Sequence, residues 1–350
     1  MSYTTIDKPS DYFETKLYTG NGGTQSITGL DFQPDWCWLK ARAGANVSNH
    51  RSVDSVRSAT KELFQDATAA EETNTNGLTA FNSNGFSLGS SGGTNNSNTT
   101  YASWNWKAGT SFTNDASGTG IGTIDSTGSV NQDAGFSIVS YTGTGSNGTI
   151  KHGLNTAPKV VILKSRSDAQ NWMVGMNINS SINFTDALAL NQTYALEDYA
   201  GYWNDTAPTS SVVSLGSHNN TNGSSKTYIA YCFSEVKGYS KFGSYTGNGN
   251  ADGTFVYTGF KPAFVIIKRT DATENWYVFD NKRGYNEANE YILANTSDGA
   301  GTNRKIDLLS NGFKLRENAT FANTSGGNYI YMAFSEESFV SSTGVPATAR

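Results

Sequence analysis

The chain has 350 residues, 16% of them charged and 12% aromatic, with 37 glycines and a net charge of −5. Many aromatics and little charge exclude a disordered chain, and an acidic balance without a basic cluster excludes a phosphate-driven nucleic-acid partner. Abundant Gly and Asn disfavour helix, while Tyr, Phe, Trp, Thr, Val and Ile favour strands, so an all-β protein with polar turns is expected.

The start, "MSYTTIDKPSDYF", lacks the charged and apolar regions of a secretory signal, and residues 1–11 read as an N-terminal arm. From residue 12 the chain runs through a cycle of motifs that it repeats twice more. The first cycle, 12–109, opens with "YTG" at Tyr18–Gly20, passes a Gly-apolar pair at Gly29–Leu30 and enters "QPDWCWLKAR" at Gln33. It closes with "YASWNW" from Tyr101. Within it, "SVDSVRSATKELFQDATAAEE" from Ser52 is charged and Ala-rich, and its weak helical spacing suggests a short helix.

Residues 110–134 are polar and Gly-rich and read as a linker. The second cycle, 135–237, has "YTG" at Tyr141–Gly143, Gly153–Leu154, "APKVVILKSR" from Ala157, "NWMVGM" from Asn171 and "YIAYCF" from Tyr228. The third, 238–340, has Tyr245–Gly247, Gly259–Phe260, "KPAFVIIKR" from Lys261, "NWYVFD" from Asn275 and "YIYMAF" from Tyr329. Residues 341–350 form a C-terminal tail. The proline-to-lysine distance is six residues in all three: Pro34 to Lys40, Pro158 to Lys164 and Pro262 to Lys268. In the first cycle His50 stands where the others carry Trp172 and Trp276.

These regularities set expectations. The unalternating run after each proline reads as a strand buried on both faces, with the proline at its entrance. The closing motif alternates: Tyr329, Tyr331 and Ala333 on one face, Ile330, Met332 and Phe334 on the other. Units of about 100 residues fit three tandem antiparallel β-sandwiches, of jelly-roll or concanavalin-like form. No linker separates the second and third units, which are expected to pack rigidly.

No constellation for catalysis emerges. His50, His152 and His218 occupy unrelated places with no metal-ligand spacing, no nucleophile elbow occurs, and no carboxylate falls at the same place in all three cycles. A non-enzyme without cofactor is expected. Cys37 and Cys232 read as buried small hydrophobes. "NGNADG" offers Asn248, Asn250 and Asp252 at the spacing of a calcium loop, but Gly259 stands where the bidentate acid belongs, and a tight turn explains the same residues. Trp172 and Trp276, at equivalent positions, are expected in the core. Tyr202, Trp203, Asn204 and Asp205 lie in a stretch the other cycles do not match, where function is added to a repeated scaffold, and are the candidate ligand platform. For Tyr202 and Trp203 local packing is the first reading and the platform the second.

With these motifs in view, "YTTIDKPSDYFETKLYTGNG", "SVRSATKELFQDA", "GFSIVSYTGTG", "HGLNTAPKVVILKSR", "WNDTAPTSSV" and "GYSKFGSYTGNG" resemble proteins of marine bacteriophages. The resemblance spans residues 3 to about 345 and implies a structural, tail-fibre or concanavalin-like virion protein, with no catalytic residues to assign. It implies a virion-surface location after synthesis in a bacterial cytoplasm, other virion proteins as partners and a host surface glycan as ligand. Homo-oligomers, a trimer above all, are expected. Ser2–Asp11 is the expected anchor to the particle, with "SSTGVPATAR" as the other docking segment. A capsid decoration or cement protein is the alternative, and a glycan depolymerase would require two acids facing across a groove.

Overall fold

The computed structural model describes residues 4–284, 286 and 289–337. The protein is all-β, with antiparallel sheets joined by turns. One strand order appears three times: an opening strand, then the closing strand, then the strand that follows the proline, then the next strand in the chain. In the first lobe these are Phe13–Thr19, Thr100–Trp106, Trp36–Ala43 and Arg51–Asp54. In the second they are Phe136–Thr142, Thr227–Phe233, Val160–Ser165 and Met173–Met176. In the third they are Ser240–Thr246, Asn328–Phe334, Phe264–Arg269 and Trp276–Asp280. A smaller sheet covers one face of each, begun by Gln25–Thr28, Gly148–Lys151 and Phe255–Tyr257 respectively. Each lobe is thus sandwich-like.

Both faces of each post-proline strand are buried, as the unalternating runs predict. Val161 and Leu163 face the small sheet of the second lobe, whereas Val160 and Ile162 join a core common to all three lobes. The closing strand divides as its alternation predicts: Tyr329, Tyr331 and Ala333 lie in the core of the third lobe, Ile330, Met332 and Phe334 in the common one. The last aromatics of the three closing strands meet in a triangle, with ring centroids 6.4 Å apart for Trp106–Phe233, 5.6 Å for Trp106–Phe334 and 5.7 Å for Phe233–Phe334. Apolar burial of this kind is worth roughly 25 cal/mol per Å², so the common core ties the lobes together rather than leaving three separable domains. Gly29, Gly153 and Gly259 enter this arrangement with φ of 87°, 79° and 85°, a conformation side chains resist, and each is followed by a buried Leu30, Leu154 or Phe260.

The repeated lysine closes the ring. Lys164 Nζ donates to Ser165 O (2.8 Å) and Asp168 O (3.3 Å) in its own lobe and to Thr68 O (3.1 Å) in the first. Lys268 Nζ donates to Arg269 O and, at 3.1 Å, to Thr193 O of the second lobe. Lys40 Nζ donates to Ala41 O, Ser48 O and, at 3.0 Å, to Ser297 O of the third. Burial lowers these ammonium groups, Lys164 to about 7 and Lys40 and Lys268 to about 8. Beside them, Trp172 Nε1 donates to Phe64 O, Trp276 Nε1 to Ala189 O, and the His50 ring, 3.0 Å from Leu293 O, makes the third link. Each lobe therefore grips the next in one rotational sense. The apolar faces left by the repeated unit meet one another within this chain.

Three expectations need correction. The segment 110–134 is no linker: Thr110–Asn114 and Ser126–Asn131 form a ribbon that extends the second large sheet beside its opening strand. Residues 52–72 hold no helix, because Trp38 pairs with Ser52 and Ser52 bridges Leu63, so tertiary strand pairing overrides the local spacing. The N-terminal arm is packed down: Thr4 and Ile6 are buried, Ile6 in the common core, and Ser10 N–H donates to Glu336 O. The 341–350 tail lies outside the described residues.

Candidate functional site

The four residues singled out from the unmatched stretch part company. Ala200–Trp203 form one helical turn, ended by Asn204 and Asp205 at φ of 53° and 46°, a left-handed bend that Asn and Asp tolerate. The turn drives Trp203 inward, fully buried, with its ring edge-to-face with Phe184 at 5.2 Å. It presents no ring face to a ligand, so its place in the platform is withdrawn: it fills the second core. Tyr202 is 8% exposed, and its hydroxyl donates to Glu197 Oε2 at 3.3 Å. Burial first, then Glu197, pushes that phenol up to about 12. Asn204 and Asp205 stay exposed, with Asn204 Oδ1 accepting from Asn147 Nδ2.

Around Tyr202 the fold assembles what the sequence did not single out. Tyr199 meets Tyr202 edge-on at 4.9 Å, and His218 meets both rings, at 5.7 Å and 5.1 Å. His218 Nδ1 accepts Asn220 N–H, and burial lowers the imidazole below its ordinary value. Tyr199 is 45% exposed and Tyr194, in the same stretch, 54%. Two open phenol rings beside a carboxylate and an imidazole can stack on a flat, polyhydroxylated face and hydrogen-bond its rim. Tyr194 lies in the connection between the strands Asp186–Ala189 and Glu197–Asp198, and Tyr199 directly precedes the helical turn, so both fall just outside the four residues singled out from the sequence.

Phe255 and Tyr257 are also exposed. They stand in the third small sheet where the register places Ser26 and Thr28 in the first and Thr149 and Lys151 in the second. Aligning the segments after "YTG" would have exposed that difference.

The calcium-loop residues are occupied as turn residues. Asn248 Oδ1 accepts Asn250 N–H, Asn250 Oδ1 accepts Asp252 N–H, and the Asp252 carboxylate pairs with Lys314 at 2.6 Å. Asn323 holds the loop from beneath, donating to Asn248 Oδ1 and Asn250 O and accepting Asn248 N–H. Asn95 and Asn222 make the matching bonds to Asn21 and Thr144 in the other lobes, so the loop belongs to the scaffold. Among the described residues no group of three or more His, Cys, Asp or Glu is placed to hold a metal ion. Cys37 and Cys232 are free and buried, and Trp172 and Trp276 lie in the common core, as expected. A void in that core, lined by residues including Trp36, Trp276 and Phe334, measures about 10 Å³ and is entirely apolar, too small for a ligand.

No curated protein matches the chain. Over residues 8–338 it matches the family described as Domain of unknown function (DUF7483), and it belongs to that family.

Proposed function

We propose that this chain is a non-enzymatic bacteriophage virion-surface protein of tail-fibre or receptor-binding type that binds a host surface glycan. It would be built from three copies of one jelly-roll or concanavalin-like sandwich unit. The observation that carries the binding role is the pair of exposed rings, Tyr194 and Tyr199, on either side of Glu197, with Tyr199 packed against Tyr202 and His218. Surface aromatics on an otherwise Ser/Thr/Asn-rich scaffold reward a partner with flat apolar faces and a polar rim, which a sugar ring offers. The repeated lysines and tryptophans support the same division of labour, since the inter-lobe contacts use them up. Partners would be other virion proteins and the glycan, and the free thiols accord with synthesis in a bacterial cytoplasm.

A second reading, capsid decoration, is favoured by the closed three-lobed ring: one chain with this shape fits a local three-fold site as a monomer. Cryo-electron microscopy of intact particles, with a glycan array on the purified chain, separates the two. Tail-peripheral density and array binding lost in Tyr199→Ala support attachment. Regular capsid density with no array binding overturns it in favour of decoration.

A further inference from the structure

The ribbon of 110–114 and 126–131 breaks the three-fold pattern, and open clefts gather on it. Two adjoining clefts of about 530 Å³ each share Thr110, Val130 and Gln132. One runs to Phe112, Lys151 and Ser211, the other to Tyr12, Lys107 and Asp133. Their size is that of small-ligand sites. In the first, Lys151 Nζ stands 5.9 Å from the Phe112 ring centroid; in the second, Lys107 Nζ stands 5.6 Å from that of Tyr12. Among the described residues neither ammonium has a carboxylate within 4.0 Å. The Phe112 ring packs over Gly128 and Gly153, where a Cβ on either would strike it, so it is fixed against main chain. Gln132 is held between the clefts, its Nε2 donating to Gly153 O (3.2 Å) and its Oε1 accepting Asn155 Nδ2 (2.8 Å).

We propose that this double cleft binds an acidic oligosaccharide, with a uronate-type carboxylate at Lys151 and the adjoining sugar face on Phe112. An unpaired ammonium over a fixed ring answers an anionic group beside an apolar face. The carboxamides of Gln132 and Asn155 and the hydroxyls of Thr110 and Ser211 answer sugar hydroxyls. Asp133 sits at the other end and repels a second anion, so the neutral part of the chain lies toward Tyr12 and Lys107. Two cations are too few for a nucleic-acid backbone. This inference shares the glycan-binding reading but not its site, so each fails separately.

The test is calorimetric titration of the full chain with a hexamer of galacturonic acid, against a neutral galactose hexamer of the same length. The acidic hexamer is expected to bind at least tenfold more tightly, with the preference weakening in salt. Lys151→Gln should abolish the preference, and Ser211→Trp, which places a large ring in the cleft, should abolish binding. Lys226→Gln, which removes a surface lysine outside both clefts, should change neither. Equal binding of the two hexamers, acidic binding that survives Lys151→Gln, or no binding at all overturns the proposal. Unchanged melting temperatures of the variants exclude unfolding as the cause of a loss.

Discussion

Lys40 donates to the carbonyl of Ser297, 3.0 Å away and 257 positions later in the chain. That single bond joins the first lobe to the third and completes a ring whose other two links, Lys164 to Thr68 and Lys268 to Thr193, run in the same sense. The buried ammonium is held by main-chain carbonyls, so the grip does not depend on which side chains the neighbouring lobe carries.

The clamp should be measurable. Lys164→Met removes a costly buried charge but leaves the carbonyls of Thr68, Ser165 and Asp168 without this donor. The orphaned acceptors outweigh the relieved charge, and a loss of about 2–4 kcal/mol is expected. With one core shared by three lobes, calorimetry should show a single unfolding transition. An unchanged melting temperature in the variant, or separate transitions for separate lobes, would contradict the ring.

His152 makes stability depend on pH. Its Nδ1 accepts Leu154 N–H and its Nε2 faces Thr209 O, so the neutral ring is the bonded form. Burial lowers it to about 4 from an unfolded value near 6.5. Between those values the unfolded chain binds the extra proton, so this contribution is complete above about pH 6.5 and is lost as pH falls through 4. Its size is at most ~3 kcal/mol. His152→Gln keeps a donor and an acceptor but cannot titrate. In urea titrations the gap between wild type and variant should shift steadily across that window; parallel curves would refute the assignment.

Asn323 should matter more to the 248–252 loop than any cation. Asn323→Ala deletes its bonds to Asn248, Asn250 and Glu317 and should cost about 2–4 kcal/mol. Chelator or millimolar calcium should leave the melting temperature in place, because Asp252 is already paired with Lys314. A rise of several degrees with calcium would restore the loop as a metal site.

Neighbouring residues of the unmatched stretch should behave oppositely. Trp203→Ala empties a fully buried site and should cost about 3–5 kcal/mol. Tyr199→Ala, 45% exposed in the wild type, should stay within about 0.5 kcal/mol. Denaturant midpoints decide it, and similar losses in both would mean that Tyr199 is packing rather than platform.

What the residues alone determined is local. The prolines and unalternating runs marked strands buried on both faces, and alternation in "YIYMAF" assigned each closing side chain to its face. The glycines before Leu30, Leu154 and Phe260 marked turns that only a residue without a side chain makes easily. These were legible because strand periodicity and backbone sterics act over a few neighbours. The tertiary structure alone decided what covers those faces. A lysine's position is visible in sequence, but every residue offers a carbonyl, so nothing local could tell that Lys40 would reach Ser297. For the same reason the polar 110–134 segment read as a linker until its main chain paired with the second sheet, and only the bend at Asn204 and Asp205, by turning Trp203 inward, decided between packing and platform for that ring. Long-range packing set those outcomes, and it placed Tyr194, Tyr199 and the ribbon cleft on the surface.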